Sequence, residues 1–340
     1  MTRHSCAALA LVLAVALAPA TAHAAKPVVP FQRGMTVGEW GPSAYAPKKT
    51  ATLLRSLKRE HVDTVTLFVV WMQQDGTSTA IAPADKTAPR PNLIKAIRAA
   101  KRLGLKVILR PYVERADKLW RGYIKPASVD EWFASYTSFV LTYADVAQRE
   151  HVNGFVLGTE MVSLSGLDAN WRAVVAAVRQ RFKGFVTYQA NWDEVRHVTW
   201  WDALDAISVS GYYPVATRPD APLGDLVKGW SSPFAKLQQL HTQFHKPVMF
   251  GEIGYRTVTT TAVQPWDTDP APFSATAQRQ AYEAALQVWY RVPWFAGFEW
   301  WYMPPQKYLV SGRTGGDHRP TPSTLGVLGQ WYAKSRGAPK

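Results

Sequence analysis

Two glutamates, about ninety residues apart, each stand at the end of a short apolar run. The first closes Phe155-Val156-Leu157-Gly158-Thr159-Glu160 and the second closes Pro247-Val248-Met249-Phe250-Gly251-Glu252. Runs of this length and content read as buried parallel strands that break into a Gly-bearing turn. An acid at the carboxyl end of such a strand sits where barrel and doubly wound folds put their chemistry. Two carboxyls on different strands are the minimum set for cleaving a glycosidic bond. About 5–5.5 Å apart they support retention at the anomeric carbon; a wider gap that admits a water supports inversion. Either acid alone has a blander use, capping a helix or pairing with a cation such as Arg110. The pairing is what points to catalysis.

A strand–helix alternation must place these acids, and it runs along nearly the whole chain. Strand-like runs fall at Gly34–Val37, Thr64–Val70, Lys106–Arg110, Gly154–Leu157, Phe185–Tyr188, Ala206–Val209, Pro247–Phe250 and Phe295–Phe298. Between them, apolar residues recur at helical spacing. In Asn92–Leu103, Leu93, Ile97, Ala100 and Leu103 share a side while Lys95, Arg98 and Arg102 lie elsewhere, and Gly104 ends the segment. Asp168 is expected to cap a helix over Ala169–Phe182, and further helices are expected over Asp130–Arg149, Ala275–Tyr290 and Ser323–Lys334. Eight such units in a chain of this size predict an α/β fold, a single (β/α)8 TIM barrel. The rival doubly wound sheet usually carries a Gly-rich phosphate loop after its first strand. Here that loop reads Val37-Gly38-Glu39-Trp40-Gly41-Pro42, which is no dinucleotide fingerprint.

In a barrel, the residues that follow each strand converge on one face. They include Trp40, Trp71, Arg110, Glu160, Asn191 and Trp192, then Tyr212 and Tyr213, Glu252, and Glu299 with Trp300 and Trp301. Sugar rings pack their C–H faces on indole and phenol rings, and their hydroxyls need a few polar partners. With 15 Trp in the chain, one Trp at a strand end says little, whereas aromatics after nearly every strand describe a sugar cleft. Glu39, Asp75, Glu114, Asp193 and Glu299 are spare acids expected near the same face.

Composition narrows the class. Arg3, the apolar stretch Ala7–Ala20 and Ala22-His23-Ala24 have the form of a secretion signal, with residues 1–24 removed and residues 25–340 forming one catalytic domain. The expected product is secreted or periplasmic and monomeric, with no transmembrane segment. Cys6 is the sole cysteine and lies in that signal, so the expected mature chain has no disulfide, thiolate metal site or cysteine nucleophile. No cofactor and no metal are expected: His241 and His245 are four apart, but Thr242 occupies the place of the HExxH glutamate. Ser210 precedes Gly211 without a G-x-S-x-G elbow, which argues against an esterase. The chain carries 39 basic and 25 acidic residues, a net charge of +14. Twelve of the cations against four acids fall between Lys48 and Lys106, mostly on two expected helices. They are either solvated faces or a surface attracted to an anionic glycan. Nucleic acid is not an expected partner.

With these residues in place, the chain resembles the clan of retaining (β/α)8 glycoside hydrolases that includes families 5 and 26, and within it family 113, the β-mannanases. Gly158-Thr159-Glu160 and Phe250-Gly251-Glu252-Ile253-Gly254-Tyr255 carry the likeness, together with Gly211-Tyr212-Tyr213-Pro214 and Glu299-Trp300-Trp301. The resemblance implies Glu160 as acid/base, Glu252 as nucleophile, Tyr213 as the tyrosine that contacts the nucleophile, and Trp300 or Trp301 as the floor of the sugar site. Many clan members have Asn before the acid/base, where this chain has Thr159. The implied activity is hydrolysis of a β-1,4-linked polysaccharide, mannan by resemblance. Another β-glycan (glucan, xylan or an acidic exopolysaccharide) and a catalytically inactive sugar-binding barrel remain the alternatives.

Overall fold

Thr64-Val-Thr-Leu-Phe-Val-Val-Trp-Met-Gln73 is rich in β-branched and aromatic residues, the composition that packs well on a pleated surface. It forms β2 of a closed parallel barrel whose eight strands pair in chain order, β8 returning to β1. The structure is a computed structural model and describes residues 29–305 and 318–336. The proposed signal segment, residues 1–24, lies outside the described residues. The other strands are β1 (Gln32–Val37), β3 (Lys106–Arg115), β4 (Gly154–Thr159), β5 (Phe185–Asn191), β6 (Ala206–Ser210), β7 (Val248–Ile253) and β8 (Phe295–Met303). All eight expected runs are strands, and most extend further toward their carboxyl ends than the apolar pattern indicates.

Among the described residues, eight α-helices sheath the barrel: α1 (Pro47–Arg59), α2 (Arg90–Arg102), α3 (Val129–Arg149), α4 (Asp168–Arg181), α5 (Leu223–Gly229), α6 (Ser231–Phe244), α7 (Ala275–Trp289) and α8 (Pro322–Tyr332). Their starts follow local chemistry. Proline occupies the first turn of α1, α2 and α8, where no N–H is needed. The Ser128 hydroxyl accepts the Glu131 N–H at the head of α3. Asp168 does not cap α4 as expected. Leu167 holds the cap position, and the Asp168 carboxylate is drawn instead to Arg172 (2.6 Å) and Thr199 (2.7 Å).

One connection departs from the regular scheme. Between β5 and β6 there is a 3-10 turn, Trp201–Ala203, in place of an α-helix. The space is filled by Trp200 and Trp201, both fully buried, with Trp200 stacked 5.2 Å from Trp171 of α4.

Period-2 alternation sorts each strand into inward and outward faces. Along β2, Leu67 and Val69 join the core shared with the helices, while Phe68, Val70 and Met72 form an inner cluster with Tyr112. Inside the barrel, Glu299 of β8 faces β1 at Gly34, where an added Cβ would lie 2.0 Å from its carboxylate. The glycine is what makes room for the acid. Burial pushes the Glu299 pKa up to about 8, Thr66 offsetting this in part. Its folded value exceeds its ordinary one near 4.5, so the folded state keeps a proton that the unfolded state releases. Stability from this group is therefore full at acid pH and falls as pH rises from about 5 to 8. Glu299→Gln, which cannot ionise, should flatten that fall in melting temperature; an unchanged slope would place the charge elsewhere.

The basic helices α1 and α2 pack side by side on the outer wall. Lys48, Lys49, Arg55, Lys58 and Arg59 stand on one and Arg90, Lys95, Arg98, Lys101 and Arg102 on the other, with no acid in either helix. Arg98 pairs with Glu150 at 2.8 Å, and the cations of each last turn complement the helix dipole. Among the described residues, no helix is long and apolar enough to cross a membrane.

Candidate active site

Glu160 follows the last residue of β4 and is 7% exposed. Its φ of 54° lies in the left-handed region, which costs a non-glycine residue roughly 1–2 kcal/mol. Such strain concentrates where a side chain must be aimed. The Glu160 N–H is fixed by the Gln189 carbonyl at 2.8 Å. Its Oε2 accepts from Arg121 Nη1 at 2.7 Å and from Trp120 Nε1 at 3.1 Å, leaving Oε1 outside both contacts. Arg121 is shared with Glu114 and rests over the Tyr112 ring at 4.8 Å. Burial works against its charge, but Glu114 and Glu160 more than compensate and hold it firmly protonated.

Glu252 lies within β7 and is held differently. Oε2 accepts from Arg110 Nη1 at 2.9 Å and from Gln189 Nε2 at 3.1 Å, while Oε1 accepts from the Tyr212 hydroxyl at 2.8 Å. Arg110 is 1% exposed and also donates to Gln189 Oε1 at 2.8 Å, so the three side chains form one hydrogen-bonded unit. Burial, then the charge of Glu252, keeps the Tyr212 phenol far from ionisation, so it remains a donor. Gln189 thus touches both acids, with its backbone on Glu160 and its side chain on Glu252.

Both carboxylates line one cleft of about 600 Å³. Asn191, Tyr212, Trp301 and His318 line it with them. Two aromatic pairs rim it: Trp120 against Tyr123 from the segment between β3 and α3, and Trp192 against Trp266 from the segments after β5 and β7. Trp192 and Trp266 stack 5.3 Å apart at 20°, and Trp266 is 45% exposed. Two acids, each with its own donors, in a cleft walled by indoles can bind a sugar and exchange a proton and a bond with it. The family model for Glycoside Hydrolase Family 113 matches residues 35–317, which span the barrel and both acids. The chain belongs to glycoside hydrolase family 113.

Solved structures agree. This glycoside hydrolase is 26% identical to a GH113 β-1,4-mannanase seen in a complex, with a TM-score of 0.81 over 90% of this chain and 100% of that one. It is 28% identical to the GH113 β-mannanase AaManA from Alicyclobacillus acidocaldarius in complex with ManMIm, at a TM-score of 0.80 over 89% and 97% of the two chains. A β-glucuronidase from Faecalibacterium prausnitzii shares the fold at 15% identity and a TM-score of 0.58, over 89% of this chain and 49% of that one. A search of curated proteins finds no match.

The residues expected at this site divide by strand parity. Asn191, Trp192 and Trp301 line the family 113 cleft with the two acids, and Arg110 lies beneath it on Glu252. Trp40 packs beside the cleft on Phe68, Trp301 and Tyr302. Three placements need correction. Trp71 is not at a strand end, because β2 runs on to Gln73; it points outward to α3, 5.0 Å from Phe139 and bonded to the Tyr143 hydroxyl. Tyr213 does not reach Glu252. It lies one position past Tyr212 on the opposite face, 4% exposed and packed against Trp230 and Trp192. Trp300 is likewise one position from Trp301 and faces outward, fully buried 4.0 Å from Tyr282 of α7 and bonded to Tyr332 of α8.

Replacement of the two Trp separates them. Trp300→Ala should cost roughly 3–5 kcal/mol of stability, as loss of a large core ring does. Trp301→Ala should cost less stability but lower kcat/KM about tenfold through lost stacking. Denaturant melts and kinetics on both variants check this, and a reversed pattern would return Trp300 to the site.

Tyr212 was expected on this face, but it takes the contact with Glu252 that was assigned to Tyr213, whereas Gln189, Trp120, Arg121, Tyr123, Trp266 and His318 were not expected at the site. Tyr212 and Gln189 share inward parity with Ser210 and Asn191, a signal available in the sequence. The others stand on long connections whose path no local pattern specifies. Of the spare acids, Asp193 lines the cleft, Glu114 holds Arg121, Asp75 closes its own turn on Thr77 and Ser78, and Glu299 lies within the barrel. His241 stacks on Trp294 and bonds to the Lys246 carbonyl, an ordinary structural use.

Proposed function

We propose that this enzyme hydrolyses internal β-1,4 bonds of mannan with retention, by double displacement between Glu252 and Glu160. The observation that carries the reading is the contrast between the two carboxylates in one cleft. Glu252 accepts on both oxygens, from Arg110, Gln189 and Tyr212, which fixes its carboxyl and supports a nucleophile's role. Glu160 accepts from Arg121 and Trp120 on Oε2, which leaves Oε1 as the oxygen we assign to proton transfer. In the first step a Glu252 oxygen attacks the anomeric carbon as Glu160 protonates the departing glycosidic oxygen. The C–O bond breaks and a glycosyl ester forms. In the second step Glu160, now a carboxylate, takes a proton from water, whose oxygen displaces Glu252. Arg110 and the Tyr212 hydroxyl stabilise the carboxylate as it leaves.

Mannan is favoured because family 113 structures similar to this chain are β-1,4-mannanases. We also propose export, on the strength of the signal-like first 24 residues. The basic wall of α1 and α2 then faces anionic glycans outside the cell. A panel of β-1,4-mannan, glucan, xylan and an anionic β-glycan tests the substrate. Oligosaccharide release from mannan is expected; turnover of a different polymer alone, or of none, contradicts it.

A further inference from the structure

Behind the cleft, the wall between β4 and β5 holds a carboxyl that the proposed chemistry does not use. Glu194 is 1% exposed. Its Oε1 accepts from the Tyr188 hydroxyl at 2.5 Å, and its Oε2 accepts from the Asn191 backbone N–H at 2.7 Å. The Tyr188 hydroxyl in turn accepts from the Met161 backbone N–H at 2.8 Å. Met161 directly follows Glu160, and Asn191 directly precedes Trp192. One buried pair of side chains therefore fastens two turns at once: the one that carries Glu160 and the one that carries Asn191 and Trp192.

The pair is itself immobilised. The Tyr188 ring is fully buried, 5.2 Å from Trp171 and 5.0 Å from Trp200. Burial pushes the Glu194 pKa up to about 7, against the donors from Tyr188, Asn191 and Ser165. A costly buried acid in this place calls for a use. Glu160 sits in a left-handed conformation that persists only where its surroundings hold it. The Glu160 N–H is gripped by Gln189 and the next N–H, that of Met161, by Tyr188.

We propose that Glu194, acting through Tyr188, is a positioning residue that aims the Glu160 carboxyl at the glycosidic oxygen and keeps it in register with Asn191 and Trp192. The inference rests on Glu160 being the proton donor. A loosened Glu160 turn misplaces the acid, and a displacement near 1 Å can cost about 10²-fold in rate. The loss should appear where protonation matters and vanish where it does not.

The test compares Glu194→Gln, Tyr188→Phe and Glu160→Ala on aryl β-glycosides with good and poor leaving groups, reading kcat/KM, which reports bond cleavage. Glu194→Gln turns an acceptor into an amide donor facing either Tyr188 or Asn191. Tyr188→Phe keeps the ring packing and removes the link, so it carries the test if the first variant folds poorly. Both should lose about 10–100-fold on the poor leaving group and under about threefold on the activated one, a weaker copy of Glu160→Ala. Equal losses on both substrates, or no loss, with Glu160→Ala still selective, overturn the positioning role alone. A Glu160→Ala variant that is not selective overturns the proton-donor reading instead.

Discussion

Glu160→Ala should lose about 10²–10⁴-fold on substrates with poor leaving groups while retaining bond cleavage on an activated aryl β-glycoside. The activated group departs without a proton, so the glycosyl ester on Glu252 still forms and then hydrolyses slowly for want of a base. Azide needs no base. Added azide should speed turnover and give a β-glycosyl azide by two inversions. Glu252→Ala lacks the proposed nucleophile and should fall by on the order of 10⁴ or more on both substrate types. Azide rescue there proceeds by one inversion and gives the α anomer. The anomer formed by each variant, read by proton NMR, assigns the roles. An α azide from Glu160→Ala would exchange them.

The second large effect belongs to Arg110. Its guanidinium is 1% exposed and meets Glu252 at 2.9 Å, while the Glu252 side chain is 14% exposed. Removing one partner of such a pair leaves a charge in a low-dielectric site, which costs more than the pair itself contributes. Arg110→Met should therefore lower stability by roughly 2–4 kcal/mol. It should also lower kcat/KM by about 10²-fold, the usual cost of losing one preorganised donor. Because the proposed nucleophile serves every substrate, that loss should be similar for good and poor leaving groups, unlike the loss from Glu160→Ala. Adding Glu252→Gln to Arg110→Met should recover most of the stability, since no charge is then stranded. A melt in which the double variant is as weak as the single one would show that Arg110 acts through packing.

The barrel and its two acids were legible because buried parallel strands write themselves as apolar runs, and Glu160 and Glu252 interrupt two of those runs. What the runs concealed was where each strand ends. β2, β3 and β8 continue past their apolar stretches, carrying Trp71, Arg110 and Trp300 along with them. Parity then decides whether a side chain meets sugar or helix. Neighbours such as Tyr212 and Tyr213, or Trp300 and Trp301, are alike in type and opposite in direction. Composition alone could not choose between them. Arg121 and Trp266 are placed by tertiary contacts. Arg121 is drawn to Glu114 and Glu160, and the Trp266 segment is gripped by Arg256, which donates to the Asp267 and Asp269 carbonyls at 2.8–3.0 Å. Both devices join residues that no local period relates.

The central claim is a double displacement between Glu252 and Glu160. The most direct measurement follows the anomeric proton of the first product released from a β-1,4-manno-oligosaccharide, before mutarotation. Retention predicts that the β anomer appears first and then relaxes toward the equilibrium mixture. First release of the α anomer would mean a single inversion by water, and Glu252 would then be a base rather than a nucleophile.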